Sequence, residues 1–515
     1  MSPTQPVLDS RTEFQSFLGP ARTWRRVGTL VVALVITMGG NVIPPLTPPA
    51  AARQKTVSPV SIDSRKTKIV LPLRNAHINK KVARVTNWSL EATGVGLSSA
   101  GPVYERDIHQ GALHHLRIHT FENKVYLKAD WRYAAPVEVN RTSRGLEITF
   151  FHRKATPAFR AVAPGVALWE GQRWTSRGPM RVRALELDPQ QVTLEPAIAS
   201  AGSKRMGLSK VSQFGHWHGA IAAVNGSYFS PATGEPQGAV VLDRQLVSRT
   251  MMDRPAVWFN LDGGIDIHSA KPRSSVVLED GTRLRCMGVN ESAKRNRLTL
   301  YSSHYGLRSR TIADPSRCEM AVNAGGRVVN VGNGNLEIPS GGFVLSGQGT
   351  AATQMKRLIG HGQVLRIDHT LPVNAQHALG AGPTLIQAGR INVLAKQQKF
   401  KADVAYGRAP RTAIGITRNK KYMLVTIDGR QPGYSVGATL QELAHVLKDL
   451  GNIEAINLDG GGSTTMWLRG KVIGSPSEGR ERPVSTALLV LPRREPPVAA
   501  VSPTLANLVT SWLTD

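Results

Sequence analysis

Short runs in which apolar and polar residues alternate recur along most of this chain. Leu116-Arg-Ile-His-Thr-Phe121, Val125-Tyr-Leu-Lys-Ala-Asp-Trp131 and Leu146-Glu-Ile-Thr-Phe-Phe151 follow this pattern between turn residues, the period expected of strands with one face on a core. They predict a small β-rich, sandwich-like module over residues 69–160. Beyond Pro164 and Gly165 a succession of strands, glycine turns and a few helices runs without a linker to about Pro492, which predicts one large domain over 161–492. No period of roughly 20 to 50 residues repeats, so neither a solenoid nor a propeller is indicated. The fold class read from these patterns is α+β, a large mixed-sheet domain behind a small all-β one.

One stretch of the large domain is legible in more detail. Tyr422-Met-Leu-Val-Thr-Ile427 reads as a strand that ends at Asp428, Gly429 and Arg430. A helix follows: Thr439 and Glu442 have the spacing of a capping box, Leu440, Leu443, Leu447 and Leu450 share one face, and Gly451 supplies the stop. The buried run 452–458 then delivers Asp459 to a turn of three glycines, Gly460, Gly461 and Gly462, before Ser463 and Thr464. If the two strands run parallel in one sheet, Asp428 and Asp459 emerge from carboxyl ends and converge on one cleft.

The amino terminus adds an address. Arg22, Arg25 and Arg26 lead into an apolar stretch at 27–43 with an uninterrupted core at 30–36. That core is short beside the roughly 20 apolar residues of a spanning helix, and Ala50, Ala51 and Ala52 offer small residues for a signal peptidase. Residues 1–43 are therefore read as a basic leader with a signal peptide or a membrane anchor, 44–68 as a Pro-rich basic linker and 493–515 as a tail. Either reading places the body of the protein outside the cytoplasm, in the periplasm or cell envelope, and gives it a membrane partner through the first segment.

Charge and cysteine count narrow the chemistry. Sixty-four Lys and Arg against 36 Asp and Glu give a net charge of +28, a field that draws polyanions. The basic residues are dispersed, no nucleic-acid module is recognisable and few aromatics are available to stack bases, so nucleic acid is not an expected partner. Two cysteines, Cys286 and Cys318, cannot build a disulfide-dense scaffold or a cysteine zinc site. No His-Glu-x-x-His spacing occurs, and no metal ligand is assigned. No cofactor is expected to be required, although the Asp459 turn has the oxygen chemistry of a divalent-cation site.

The glycine turn carries the strongest chemical signal. Three consecutive glycines permit positive φ and close approach of backbone to a ligand, and successive amides can form an anion nest. No Lys follows them and the next residues read as a strand, which excludes a nucleotide P-loop. Other strand-end segments are Asn225-Gly226-Ser227-Tyr228-Phe229, Gly380-Ala381-Gly382-Pro383 and Pro410-Arg411-Thr412-Ala413.

Taken in order with Gly234-Glu235-Pro236, Arg254-Pro255-Ala256, Asp428-Gly429-Arg430, Asn457-Leu458-Asp459-Gly460-Gly461-Gly462-Ser463-Thr464 and Arg482-Pro483-Val484, these segments closely resemble the phosphodiester glycosidase family, over about 161–491. The middle segment, about 265–377, resembles its bacterial members. The resemblance implies hydrolysis of the bond between a sugar's anomeric carbon and a phosphodiester oxygen in a phosphate-bearing envelope glycan or exopolysaccharide. Glycoside hydrolysis ordinarily uses two carboxyl groups. The expected assignment is Asp459 as nucleophile or base, with Asp428 or Glu442 as its partner. Arg411 and Arg430 would hold the phosphodiester, with the Gly460, Gly461 and Gly462 amides, Ser463 and Thr464 lining the turn, while Asn225 and Asn457 would fix sugar hydroxyls. Glu442 has an alternative use in the helix cap. Two other classes stay open, a non-catalytic envelope-polymer binding protein and a metal-dependent phosphodiesterase.

Overall fold

The computed structural model describes residues 60–493, apart from 63–64, 84–86, 96–100, 109–110, 122–123, 133–134, 153–156, 176 and 200–205. The export segment, nearly all of the linker before residue 60 and the tail after residue 493 lie outside the described residues. Among those described, no helix is long and apolar enough to cross a membrane.

Alternation in the amino-terminal part is realised as two antiparallel sheets. Four strands, Val60–Ile62, Lys66–Leu71, Gly145–Phe151 and Val137–Thr142, form one; Arg74–Ala83, Asn87–Val95, Lys124–Trp131, Leu113–Phe121 and Gly101–Asp107 form the other. Both contribute to a single apolar core, including Ile69, Leu116, Leu127 and Ile148, in which the Phe150 ring meets Trp88 at 5.3 Å and Trp131 at 5.7 Å edge-on. In Leu113–Phe121 the two-residue period buries Leu116, Ile118 and Thr120 and leaves Phe121 54% exposed. A strand gives each side chain one face only, whatever its hydrophobicity.

An eight-stranded sheet organises the rest. Its order is Arg160–Ala163, Val166–Thr175, Gly178–Leu187, Tyr422–Ile427, Arg411–Thr417, Asn452–Asn457, Thr384–Gln387 and Arg390–Ile391. Arg411–Thr417 pairs antiparallel with Tyr422–Ile427 on one side and with Asn452–Asn457 on the other. Those two strands are therefore parallel to each other, and their carboxyl ends share one edge of the sheet, the arrangement on which the convergence of Asp428 and Asp459 was conditional. The helix Leu440–Asp449 crosses between them and buries Leu443, Ala444 and Leu447 against Val425, Ile427 and Ala455. On the opposite face Ile414, Leu424 and Ile456 pack against Val224, Leu488 and Val490 of a five-stranded sheet (Val192–Ile198, Thr486–Pro492, Ala222–Asn225, Met466–Leu468 and Lys471–Ile473). Covered on both faces, Tyr422–Ile427 is buried at every position, which explains its unbroken apolar run.

The fold is mostly β, where the sequence pattern suggested an α+β class. The described helices are short, the longest covering the 10 residues Leu440–Asp449, and the sheets are antiparallel save for the pairing of Gly288–Val289 with Leu298–Ser302. Helical periodicity was readable in one stretch and was outweighed by strands everywhere else. The middle segment builds further small sheets around its own core, in which Cys286 and Cys318 are both buried and unpaired.

The helix cap has the predicted chemistry: Glu442 N–H donates to Thr439 Oγ1 at 3.2 Å and Thr439 N–H donates to Glu442 Oε2 at 2.8 Å. Thr439→Ala is expected to lower stability by about 1 kcal/mol, read as a shift of the urea midpoint. An unchanged midpoint would show that the helix is held by its packing alone.

Candidate active site

Asp459 leaves the end of Asn452–Asn457 at the edge where Arg411 begins the neighbouring strand, opposite Ile427. Its backbone is held on both sides: its N–H donates to Gly226 O at 3.0 Å, and Asn225 Nδ2 donates to its carbonyl at 2.7 Å. Asn225 Oδ1 accepts from Thr412 Oγ1 at 2.7 Å and from Thr465 N–H at 3.2 Å. Asn457 Nδ2 donates to Tyr228 Oη at 2.7 Å and to Gly382 O at 3.2 Å. Both asparagines have zero exposure. The structure thus turns them inward, where they fix the turn and its neighbours, with Asn457 Oδ1 left without a hydrogen bond among the described residues.

The glycine turn also differs from an anion nest. Gly460 N–H donates to Asp459 Oδ1 at 2.8 Å and Gly461 N–H to Pro410 O at 2.9 Å; Ser463 and Thr464 N–H donate back to Gly460 O and Gly461 O, both at 3.2 Å. These amides are consumed in shaping the turn. What the glycines supply is clearance. A Cβ at Gly460 would stand 2.8 Å from Pro410 O, one at Gly461, where φ is +63°, would stand 3.1 Å from Arg430 Nη2, and one at Gly462 would collide with the side chains of Arg482 and Glu478. Thr464 Oγ1 accepts from Thr412 Oγ1 at 3.4 Å. Ser463 Oγ is buried without a hydrogen bond of acceptable geometry, though it lies close enough to the Asp459 carboxylate to favour its charged form.

The three candidate carboxylates have separate environments. Asp459 is half-buried, and desolvation pushes it up to about 6, against the pull of Ser463, the Gly460 amide and Arg482. Asp428 is buried in an ion pair with Arg183 at 2.6 Å; its carboxylate also accepts from Tyr434 Oη at 3.0 Å and from Ser475 N–H at 3.2 Å. Glu442 closes the helix cap and pairs with Arg408 at 2.6 Å. Among the described residues Asp459 shares no hydrogen bond or ion pair with Asp428 or Glu442, the partners expected for it. Both of those carboxylates are neutralised by arginines, and Arg183 sits 245 residues before Asp428 in sequence, beyond any local pattern.

The two arginines are placed otherwise. Arg411 is 3% exposed and spends Nε and Nη2 on carbonyls, Ala438 O at 3.0 Å, Val404 O at 3.2 Å and Gly407 O at 2.5 Å. It makes no ion pair, its Nη1 donates to no protein atom, and burial lowers its pKa, with Arg430 adding to the effect and Tyr228 opposing it. Arg430 is exposed, carries φ of +60° and has its guanidinium beside Gly461, where it makes no hydrogen bond or ion pair among the described residues and acts on Glu478 through its charge. Holding a long side chain in the left-handed region costs about 1 to 3 kcal/mol and is characteristic of functional positions. Two cationic side chains thus lie against Gly460 and Gly461, the residues that follow a protonatable carboxyl group.

Sequence reasoning gave no role to Tyr228, Arg482 or Glu478. The Tyr228 hydroxyl donates to Gly382 O at 3.0 Å, and burial, followed by the charge of Asp459, holds its ionisation well above the ordinary range. Arg482 pairs with Glu478. Tyr228 and Arg482 belong to motifs that were visible, whereas Glu478 had no signal beyond its spacing of four from Arg482.

Residues 316–491 match the sequence profile of the family described as phosphodiester glycosidase. Over 95 residues the chain is 38% identical to the mouse (Mus musculus) N-acetylglucosamine-1-phosphodiester alpha-N-acetylglucosaminidase, covering 17% of this chain and 18% of that protein. The chain thus spans less than a fifth of that relative's length. Among solved structures, a hypothetical protein from Synechocystis aligns with a TM-score of 0.56 at 20% identity over 84% of this chain and 79% of its own. A protein of Burkholderia pseudomallei K96243 aligns with a TM-score of 0.54 at 22% identity over 82% and 98%. These two likenesses concern the fold. The matched residues 316–491 cover the later part of the 161–491 span over which the motifs resemble the phosphodiester glycosidase family, and Arg411, Arg430, Asp459 and Arg482 lie within them.

Two stability measurements follow from the site. Asp428→Ala leaves Arg183 buried with Glu170, at 3.2 Å, as its remaining carboxylate and the Tyr434 hydroxyl, at 3.3 Å, as a neutral partner, and is expected to cost on the order of 3 kcal/mol in urea denaturation; a change within error would show the pair to be dispensable. For Asp459 the folded pKa lies above the ~3.9 of an unfolded aspartate. The folded chain therefore binds the proton more tightly, and this group's contribution to stability falls as pH rises through about 4 to 6. Asp459→Asn is expected to be more stable than the parent at pH 7, and its urea midpoint is expected to change less between pH 4 and pH 7. Equal midpoints at pH 7 would contradict the desolvation of Asp459.

Proposed function

We propose that the protein is a hydrolase that cleaves sugar-1-phosphodiesters at the bond between the anomeric carbon and the phosphodiester oxygen, releasing a free sugar and a phosphomonoester. The observation that carries this reading is that Asp459, a carboxyl group raised to about 6, opens a turn whose next two glycines lie against Arg411 and Arg430, guanidinium groups for which no ion pair is found among the described residues. The match of 316–491 to the phosphodiester glycosidase family supports it.

The substrate's anionic phosphodiester is the complement to unpaired guanidinium donors, which bind phosphate oxygens by paired, charge-assisted hydrogen bonds. Arg430 meets it from the solvent side, and Nη1 of Arg411 from within. As the glycosidic bond breaks, negative charge grows on the departing phosphate, and donors already in place stabilise it without reorganisation. A phosphate ester has a final pKa near 6, so it leaves with little protonation, and Asp459, with a similar value, is matched to exchange a proton with it. In this scheme Asp459 is the proton-handling group, and Asp428 and Glu442 are structural.

The natural substrate is proposed to be a phosphate-bearing glycan of the cell envelope or an exopolysaccharide, reached by export through the amino-terminal segment. The net charge of +28 favours such a polymer. Arginine charge fills the role that a divalent cation has in other phosphoryl sites, so the proposal includes no metal. A chelator series followed by add-back tests this: loss of activity that one divalent ion restores would assign that ion to the Asp459 turn.

The deciding experiment screens sugar-1-phosphodiesters for release of reducing sugar by the parent, Asp459→Asn and Arg430→Ala. Asp459→Asn is expected to lower kcat by about 10²- to 10⁴-fold and Arg430→Ala by about 10²- to 10³-fold, with folding retained. In oxygen-18 water the label is expected in the sugar. Label in the phosphate would mean attack at phosphorus, the chemistry of a phosphodiesterase. A parent that turns over no compound but binds them, with affinity unchanged in Asp459→Asn, would make the protein an envelope-polymer binder.

A further inference from the structure

The chain returns to the Asp459 turn after residue 474, and the return is stitched in place. Gln431 Nε2 donates to Ser475 O at 2.9 Å, Ser475 Oγ donates to Gln431 Oε1 at 2.8 Å, and Ser475 N–H donates to Asp428 at 3.2 Å. These bonds fix the start of the segment that carries Glu478 and Arg482. The two side chains form a forked ion pair in which Arg482 Nε lies 3.2 Å from Glu478 Oε2 and Nη2 contacts Oε1. Space at Gly462 is filled by this pair, since a Cβ there would collide with both Arg482 Nη2 and Glu478 Oε1. Arg482 also acts on Asp459, and Arg430 acts on Glu478. Glu478 is thus pressed against the turn that Asp459 opens, between the arginine of its own pair and the one proposed to meet the phosphate. Its side chain is 39% exposed, open to water and substrate, whereas Asp428 is 6% exposed and enclosed by its ion pair.

We propose that Glu478 is the second carboxylate of the site, the base that removes a proton from the water attacking the anomeric carbon. This rests on the sugar-1-phosphodiester reading above and supplies the second carboxylate that glycoside hydrolysis ordinarily uses. In the step, the water oxygen bonds to the anomeric carbon while one of its protons passes to Glu478. The bond from that carbon to the phosphate oxygen breaks, and its electron pair stays on the oxygen, which takes the proton of Asp459. Glu478 then gives its proton to solvent and Asp459 recovers one, so the net change is one water consumed, one sugar hydroxyl formed and one phosphomonoester released. The environments agree with the division of labour. The bonds from Arg482 hold Glu478 below the usual carboxylate range, ready to accept a proton, while burial raises Asp459, ready to give one. Direct attack by water inverts the anomeric centre.

The test compares the parent, Glu478→Gln, Glu478→Ala and Arg482→Gln on the sugar-1-phosphodiester the parent turns over fastest, with thermal midpoints measured in parallel. Glu478→Gln is expected to lose about 10²- to 10⁴-fold in kcat with KM changed only a few-fold. Added azide is expected to restore turnover to Glu478→Ala as a glycosyl azide of inverted configuration, which a merely misfolded variant would not give. Arg482→Gln keeps the carboxylate, so it is expected to retain more activity than Glu478→Gln and to move the acidic limb of kcat/KM to higher pH. The role of Glu478 is overturned, with the reaction itself left standing, if the parent is active and Glu478→Gln stays within about threefold of it. It is equally overturned if the sugar is released with retained configuration, or if Arg482→Gln and Glu478→Gln are equally impaired with the acidic limb unmoved. A parent inactive on every compound overturns the hydrolase reading, and the role of Glu478 with it.

Discussion

Three hydrogen-bonded strands govern this site. Because Arg411–Thr417 runs antiparallel to both neighbours, Tyr422–Ile427 and Asn452–Asn457 end at the same edge of the sheet, while the middle strand begins there. One edge therefore receives Asp428, Arg411 and Asp459. Two inter-strand spacings of roughly 4.8 Å separate the outer strands, room for an arginine and a folded-back turn. The helix Leu440–Asp449 on one face and the five-stranded sheet on the other exclude water from the strands beneath. That exclusion desolvates Asp459 and leaves Arg411 among carbonyls.

Within that edge, charge is divided by geometry. The Asp428 carboxylate turns toward the strand Gly178–Leu187 and is neutralised by Arg183; Glu442 is neutralised by Arg408 in the helix cap. Those pairs give two of the acids arginine partners, while Arg411 and Arg430 lie against the glycines that follow Asp459, a carboxyl group raised in pKa. A buried ion pair contributes little net stability against an apolar replacement, but it fixes the orientation of the groups around it. Ser475 and Tyr434 both bond to Asp428, so the same acid positions the segment that brings Glu478 and Arg482 to the turn. The glycines serve this arrangement by being small, and their amides close the turn on itself.

Much of the frame was legible from local pattern. The capping box at Thr439 and Glu442 and the leucine face that follows it needed only spacing, because each rests on contacts between near neighbours; the parallel relation of two acid-tipped strands was a condition that Arg411–Thr417, pairing between them, fulfils. Strand alternation also placed the amino-terminal core, with Phe121 left outside although it is apolar. The α+β expectation failed for a physical reason: short helices among many strands leave a periodic signal that is easily over-weighted, whereas the count of paired strands is settled by contacts between distant segments.

The sequence by itself determined which residues stand at strand ends: Asp459 before its glycines, Arg430 after Asp428, Arg411 after Pro410, Asn225 at the close of its own strand. It also determined the motif order that resembles the phosphodiester glycosidase family, whose profile matches residues 316–491. What each side chain faces was decided only by tertiary structure. Asn225 and Asn457 turned inward, Asp428 met an arginine far upstream, the glycine amides closed on the turn, and Glu478 came to lie against Gly462. Strand alternation and helix caps are set by neighbours in the chain, so pattern reveals them. Desolvation and charge pairing depend on whichever segments fold together across hundreds of residues, and no local spacing encodes that.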